Sequence, residues 1–233
     1  MKTLIVHAHP EPTSFNAALT ETAVATLTAA GHAVEVSDLY AANFSATAGR
    51  HDFVGAADPD RFDYQAEQRH AVVNGTFADD LRREQERVLW CDLLILQFPL
   101  WWFGPPAILK GWIDRVMAYK FAYDSENRFE RGYLRGRRAM VSVTTGGTVD
   151  RFDADGLYGE IAPYLRPIEF GVLRYVGMEV AAPFIAYAAP RVPADQRRAY
   201  LADYGARLLA LADADVLLET PGDGDPGPEA EPG

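Results

Sequence analysis

The chain has 233 residues, 22 Lys and Arg against 33 Asp and Glu, a formal net charge of -11, and one cysteine, Cys91. That length suits one domain that buries a full core without staples, and a lone cysteine excludes a disulfide framework or a Cys-rich zinc module. The acidic balance argues against nucleic acid or an anionic membrane as a main partner, and no apolar run reaches the roughly 18 residues of a membrane span.

From the start, Met1–Val6 runs directly into an apolar segment broken by His7 and His9. It lacks a small-residue cleavage site and does not read as a signal peptide. A soluble, cytoplasmic protein is expected. Thr3–Ala8 has the continuous apolar character of a buried parallel strand. Phe15, Leu19, Ala23, Leu27 and Ala30 then recur at helical spacing, and Gly31 follows as a terminator. Ala33–Ser37 reads as a second strand. Residues 45–78 show no period and read as a long irregular stretch. Leu93–Leu96, followed by Gln97-Phe98, is the clearest buried strand. A helix opening at Pro105-Pro106 carries Ile108/Leu109, Trp112/Ile113 and Val116/Met117. Ala139–Val143 is a fourth strand. Leu157 to about Val176 has helical character but holds Pro163 and Pro167, so it must be broken or kinked. Glu179–Tyr187 reads as a fifth strand, and Tyr200/Leu201, Tyr204, Leu208 and Leu211 mark a last helix.

Repeated β-α units imply an α/β protein, a doubly wound parallel sheet with helices on both faces. Five strands suit the flavodoxin-like order 2-1-3-4-5. This domain is expected over residues 1–218. Residues 219–233 hold five acids and no base, with four Pro and four Gly from Pro221 onward. They read as a disordered acidic tail, because such a composition cannot offset its ordering entropy. The G-x-G-x-x-G string at Gly222–Gly227 has no strand before it and no helix after it, and is set aside.

In such a sheet, ligands bind beyond the carboxyl ends of the strands where the strand order reverses. Three loops lie there. The first, His7–Asn16, ends at a helix N-terminus, where free N–H groups and the dipole favour an anion. Thr13, Ser14 and Asn16 add side-chain donors, and His9 a charge-assisted one. Taken alone, the loop reads equally as plain N-capping by Thr13 or Ser14. His7 and His9 have no third ligand nearby, and no metal is expected. The second loop, Phe98–Pro106, packs Phe98, Trp101, Trp102 and Phe103 between prolines and Gly104. Aromatics on a surface loop point to binding a planar aromatic ligand, or alternatively to filling a core or an interface. The third, Thr144-Thr145-Gly146-Gly147-Thr148, offers closely approachable N–H groups and hydroxyls, or simply a turn. Together they supply what a flavin nucleotide requires: phosphate donors, an aromatic wall and a donor edge for the pyrimidine.

Five strings carry a more specific signal: His9–Asn16, Ser37–Phe44, Gln97–Trp112, Thr144–Gly147 and Pro193–Asp195. In this order and register the chain resembles the FAD-dependent NAD(P)H:quinone oxidoreductases, the DT-diaphorase family, from about Leu4 to Leu211, and the shorter type within it. The resemblance implies a homodimeric flavoenzyme with FAD as cofactor, NAD(P)H as co-substrate and a quinone or similar aromatic acceptor. The reaction it implies is ping-pong hydride transfer through the flavin. His9, Thr13, Ser14, Phe15 and Asn16 would hold the pyrophosphate region. Pro99, Leu100, Trp102 and Phe103 would line the isoalloxazine, with Trp101 where the family often has Gln. Thr144, Thr145, Gly146 and Gly147 would face the pyrimidine side, and Arg197 the adenine end, with Phe62 and Tyr64 as candidates to cover it. Trp102, Tyr123 and Tyr175 would enclose the nicotinamide or quinone ring, the last two from the partner subunit.

The chain departs from the family at its charge relay. Phe152 and Tyr158 stand where known members have a Tyr and a His, and Trp102, Gly146, Phe152 and Tyr158 are the expected catalytic set. Phe152 cannot donate a hydrogen bond, and losing one donor to a developing charge costs about 1–3 kcal/mol. Arg191 replaces a rim His and would favour an anionic acceptor or the phosphate of NADPH. The alternatives are a nitro or azo reductase on the same fold, and a flavin-bound redox sensor or accessory subunit. Cys91 reads as a buried structural residue.

Overall fold

The computed structural model describes residues 1–213; the expected tail at 219–233 lies outside the described residues. Strands β1 (Lys2–His7), β2 (Ala33–Asp38), β3 (Leu93–Pro99), β4 (Arg138–Thr144), β5 (Glu179–Val180) and β6 (Phe184–Ala186) alternate with helices α1 (Phe15–Ala29), α2 (Tyr64–Asn74), α3 (Asp79–Trp90), α4 (Ala107–Val116), α5 (Ala162–Ile168) and α6 (Ala194–Ala212). All pairings are parallel and the order is β2-β1-β3-β4-β5, as expected. Among the described residues no helix is long and apolar enough to cross a membrane.

The central strands alternate their side chains between two cores, because the pleat turns successive residues to opposite faces. Leu4, Val6, Leu94, Leu96 and Phe98 meet Leu81 and Val88 of α3, Leu109 and Trp112 of α4 and Leu165 of α5. Ile5, Leu93, Ile95 and Met140 meet Leu19, Ala23 and Leu27 of α1 and Tyr204 and Leu208 of α6. Both faces are covered, which explains why β3 is apolar at every position but Gln97: all seven of its residues are buried.

The expected single fifth strand is two. β5 and β6 both pair with β4, but the register slips between Ala139↔Val180 and Ser142↔Phe184. One extra residue has to be absorbed at Ala181-Ala182-Pro183, and Pro183 has no N–H for the ladder. The proline-bearing segment breaks as expected. Pro163 sits in the first turn of α5, and after Pro167 the chain widens into a π-helical turn over Glu169–Arg174.

The stretch 45–78 is less irregular than expected, since it contains α2. That helix has a polar sequence with no apolar stripe, so its period is silent. Its caps are present: the Asp63 carboxylate accepts from Ala66 N–H, and Gly75 closes it at φ 67°. The preceding loop lies over α4. A Cβ on Gly111 would meet the Ala46 backbone at 2.2 Å. Four residues on, the guanidinium of Arg115 is 1% exposed and reaches the carboxylates of Asp52 and Asp80 and the Ser45 carbonyl.

His7, at the end of β1, is buried, with Nδ1 2.9 Å from the Thr20 hydroxyl. Burial holds its pKa below the usual imidazole value of 6.5. The unfolded chain then binds the proton more readily, so stability falls as pH drops below about 6.5 and keeps falling until the depressed pKa is passed. Thermal midpoints should therefore drop between pH 7.5 and 5.5, and His7→Gln should remove part of that drop. Identical pH dependence in the variant would refute the assignment.

Candidate active site

The three loops after β1, β3 and β4 converge at one end of the sheet. Phe15 and Asn16 open α1, so their N–H groups have no intrahelical partner. Ser14 is the N-cap and its hydroxyl accepts from Ala17 N–H at 3.1 Å. Thr13 is spent locally, because both its N–H and its hydroxyl donate to Glu11 Oε1 at 2.9 and 2.7 Å. Those bonds hold the Glu11 carboxyl below its usual range. His9 Nδ1 accepts from Glu11 N–H at 3.0 Å. That leaves Nε2 as the N–H donor of the neutral ring. The imidazole is 6.1 Å from the Trp101 ring, which ties the first loop to the second.

Asn16 departs from its expected role. It is buried, its Nδ2 donates to Thr144 Oγ1 at 2.8 Å, and its Oδ1 accepts from Gln97 Nε2 at 2.9 Å. The amide bridges β3 and β4 instead of reaching for a phosphate, and only its backbone N–H is open. The same holds for the threonines. Thr144 accepts from Asn16, and Thr145 Oγ1 donates to the Gly147 carbonyl at 2.7 Å. The donors left on the third loop are the Gly146, Gly147 and Thr148 N–H groups and the Thr144 and Thr148 hydroxyls, which have no acceptor among the described residues.

The second loop folds into a tight turn. Trp101 N–H donates to the Gly104 carbonyl at 2.9 Å and Gly104 N–H returns to Trp101 at 3.0 Å. Trp102 and Phe103 both sit at positive φ, 51° and 58°. This is the type I′ pattern, which normally takes Asn-Gly. Bulky side chains held there cost about 1–3 kcal/mol each. The result is a Trp102 side chain that is 99% exposed. Leu100, by contrast, is anchored by its N–H to the Thr144 carbonyl, and Pro99 ends β3 as a buried residue.

Phe103 stays partly exposed and packs one side against Tyr158 and Tyr164, with centroids 5.5 and 4.6 Å away. Phe152 joins them and touches Tyr187. Gly147 lies against this cluster: a Cβ there would meet Phe152 Cε2 at 2.8 Å and Tyr158 Cε2 at 3.0 Å. Burial, with Asp153 nearby, pushes the Tyr187 phenol up. Arg191 donates to the Gly146 carbonyl. Tyr164, in the proline-broken helix, and Tyr187, the end of the expected fifth strand and just past β6, carry no motif that marks them as members of this cluster.

On the far side of the α1 N-terminus, a cavity of about 450 Å³ opens between α1 and α6, lined by Ser14, Phe15, Pro190, Arg197, Arg198 and Leu201 among others. Arg197 is braced by its bond to the Val192 carbonyl at 2.6 Å. Arg198 was not anticipated, and only its place beside Arg197 could have suggested it. Phe62 and Tyr64 do not reach this cavity within one chain. They pack with Phe53, and the next residue, Gln65, donates to the Tyr123 hydroxyl at 3.3 Å.

Tyr123 and Tyr175 pack on each other at 5.3 Å, and burial pushes the Tyr123 phenol up. They do not meet Trp102 in one chain. Trp102 precedes α4 and Tyr123 follows it, and ten helical residues span about 15 Å. Among the described residues no group of three or more His, Cys, Asp and Glu could hold a metal ion. Cys91 is buried and its thiol is pushed up to about 12 by burial, so it is inert.

Comparison with known proteins places these features in a family. The sequence pattern described as flavodoxin-like fold matches residues 1–208. Ribosyldihydronicotinamide dehydrogenase (quinone) of Mus musculus is 41% identical over 221 residues, which is 94% of this chain and 96% of the mouse protein. NAD(P)H dehydrogenase (quinone) 1 of Cavia porcellus is 40% identical over 94% of this chain and 80% of its own. A crystal structure from Klebsiella pneumoniae, assigned as a quinone reductase, superposes with a TM-score of 0.87 at 40% identity, covering 91% of this chain and 85% of that one.

Proposed function

From the premise that this chain belongs to the NAD(P)H:quinone oxidoreductase family of flavodoxin-like-fold proteins, we propose that it reduces quinones by two electrons with a dihydronicotinamide, using FAD. The observation that carries this reading is the strained Trp101–Gly104 turn after β3, which holds Trp102 99% exposed, while the loop after the adjacent strand β4 presents the open N–H groups of Gly146 and Gly147. A fold does not bear that strain and leave that indole in water without use for it.

The donor set fits a flavin nucleotide. The α1 N-terminus and His9 Nε2 suit an anion, Trp102 and Phe103 offer ring surface, and Gly146 and Gly147 offer donors to a polar ring edge. The cavity beyond the α1 N-terminus supports FAD over FMN: FMN ends at its phosphate, whereas a dinucleotide continues toward Arg197 and Arg198. When bound, a flavin accepts a hydride from the nicotinamide and passes the electron pair to the quinone. The chain's own part is geometry. Trp102 and Phe103 fix the plane on which two flat reactants would stack in turn, as a ping-pong scheme requires. Phe152, buried and without a donor, adds only apolar contact where a hydrogen bond would help.

The distance from Trp102 to Tyr123 and Tyr175 supports a homodimer. One chain leaves Trp102 uncovered, and a second copy could bring the two tyrosines over it. The lost donor at Phe152 favours one further reading, a flavin-bound protein that turns over slowly and serves a partner. A single series of measurements separates the readings. The purified protein should be yellow, release FAD on heating, and oxidise NADH or NADPH with menadione. Bound FAD without turnover on any acceptor would overturn the enzyme reading. A colourless chain that ignores added FAD and FMN would overturn both.

A further inference from the structure

Beside the cluster at Gly147 stands one arginine that the proposed reaction leaves unused. Arg151 donates Nη1 to the Tyr158 hydroxyl at 3.1 Å, and its guanidinium carbon lies 5.8 Å from the centre of that ring. Its surroundings are acidic: Asp150, Asp153, Asp155 and Glu160 lie on the same segment. Yet among the described residues Arg151 forms no ion pair with any of them. It is spent on a phenol whose ring edge would touch a Cβ placed on Gly147 at 3.0 Å.

From this we infer that Arg151 is a positioning residue, which acts through Tyr158 to hold positive charge at the Gly146–Gly147 edge and so stabilise negative charge on a ring bound there. The inference rests on the flavin reading, and it deepens it by naming what stands in for the donor that Phe152 lacks. The chemistry is direct. A phenol oxygen that accepts from a guanidinium keeps its own proton free to donate. A hydrogen bond from such a phenol to an anionic ring edge is strengthened by the cation behind it. Tyr164 supports the geometry from the other side by donating its hydroxyl to the Tyr158 carbonyl at 2.5 Å. Arg191 is a second cation near the same edge, but it binds the Gly146 carbonyl and has no phenol to act through.

A bound flavin becomes more negative at this edge when reduced, so its midpoint potential reads the effect directly, independently of turnover. The test uses the full chain loaded with FAD, equilibrated against reference dyes at low and high salt. Arg151→Met is expected to weaken the preference for reduced over oxidised flavin by threefold to tenfold, where tenfold is about 30 mV for a two-electron couple. The shift should shrink in high salt, because the guanidinium is exposed. Arg151→Lys should keep most of the effect. Tyr158→Phe should shift the potential in the same direction, and the double variant should shift it by less than the two single effects together. An unchanged potential in Arg151→Met, with flavin bound at the parent ratio, overturns the inference and leaves the flavin reading standing. A shift in Arg191→Met without one in Arg151→Met also overturns it. A chain that takes up no flavin overturns both.

Discussion

Trp102→Asn should leave the flavin-free chain at least as stable as the parent while lowering kcat/KM for quinone reduction by one to two orders of magnitude. The two halves of this expectation come from one geometry. The indole is 99% exposed, so its removal gives up almost no burial. Its backbone is held at φ 51°, a region that costs a bulky residue about 1–2 kcal/mol and that asparagine tolerates well in a type I′ turn. Relief of strain should therefore offset any lost contact, and the thermal midpoint should hold or rise by a few degrees, at about 2–4 °C per kcal/mol for a domain of this size. Function should move the other way. A lost aromatic stacking surface is worth about 0.5–1.5 kcal/mol beyond area burial, and misplacing a stacked reactant by an ångström costs about 100-fold. Steady-state kinetics and thermal melts of the flavin-stripped chain check both halves. Parent kinetics in the variant would remove Trp102 from the site, and a large loss of stability would show that the turn is a structural feature.

The second large effect concerns the fold. Arg115→Met should destabilise the chain by about 3–5 kcal/mol, the range found when one partner of a buried ion pair is removed. Asp52 is 0% exposed and would keep its carboxylate with only the Tyr64 hydroxyl, at 2.6 Å, Gly49 N–H, at 3.1 Å, and half-exposed His51 as partners. The guanidinium also lies over the Phe44 ring at 4.7 Å and holds the Ser45 carbonyl at 2.8 Å. Its loss therefore frees the loop that crosses α4. Adding Asp52→Asn should recover part of the loss, because it removes the stranded charge. Denaturant melts of the two single variants and the double decide it. Simple additivity between positions 52 and 115 would contradict the coupling.

The contrast between these two residues shows what the sequence could disclose. Trp102 was visible because an aromatic cluster bracketed by Pro and Gly after an apolar strand is abnormal for a loop. Arg115 was invisible, because its partners Asp52 and Asp80 lie 63 and 35 residues away and nothing local to Arg115 marks the pairing. The buried strands were legible for the same reason that α2 was not: Leu93–Leu96 is apolar throughout, whereas Tyr64–Asn74 is a polar helix whose only local signals are its caps. The break between β5 and β6 needed the β4 register to reveal it, although Pro183 hinted at it. At the site, residue types pointed to three loops that converge at one end of the sheet, but side-chain roles depended on neighbours. Asn16, Thr13 and Thr145 looked like ligand donors, and their side-chain protons are taken by Thr144, Glu11 and the Gly147 carbonyl, while Thr144 accepts from Asn16. Many of the open donors are backbone N–H groups, at Phe15, Asn16, Gly146 and Gly147, which a sequence does not mark. Family resemblance brought Tyr123 and Tyr175 toward the pocket, whereas in one chain they pack on each other and Trp102, 99% exposed, meets neither.

We propose that the three converging loops hold a flavin that carries electrons from a dihydronicotinamide to a quinone. The most direct measurement follows the visible absorbance of the FAD-loaded protein without oxygen. Addition of NADH or NADPH should bleach the flavin, and a following addition of menadione should restore the colour at a rate no slower than steady-state turnover. A flavin that stays coloured on addition of the nicotinamide, or stays bleached on addition of the quinone, would contradict the account.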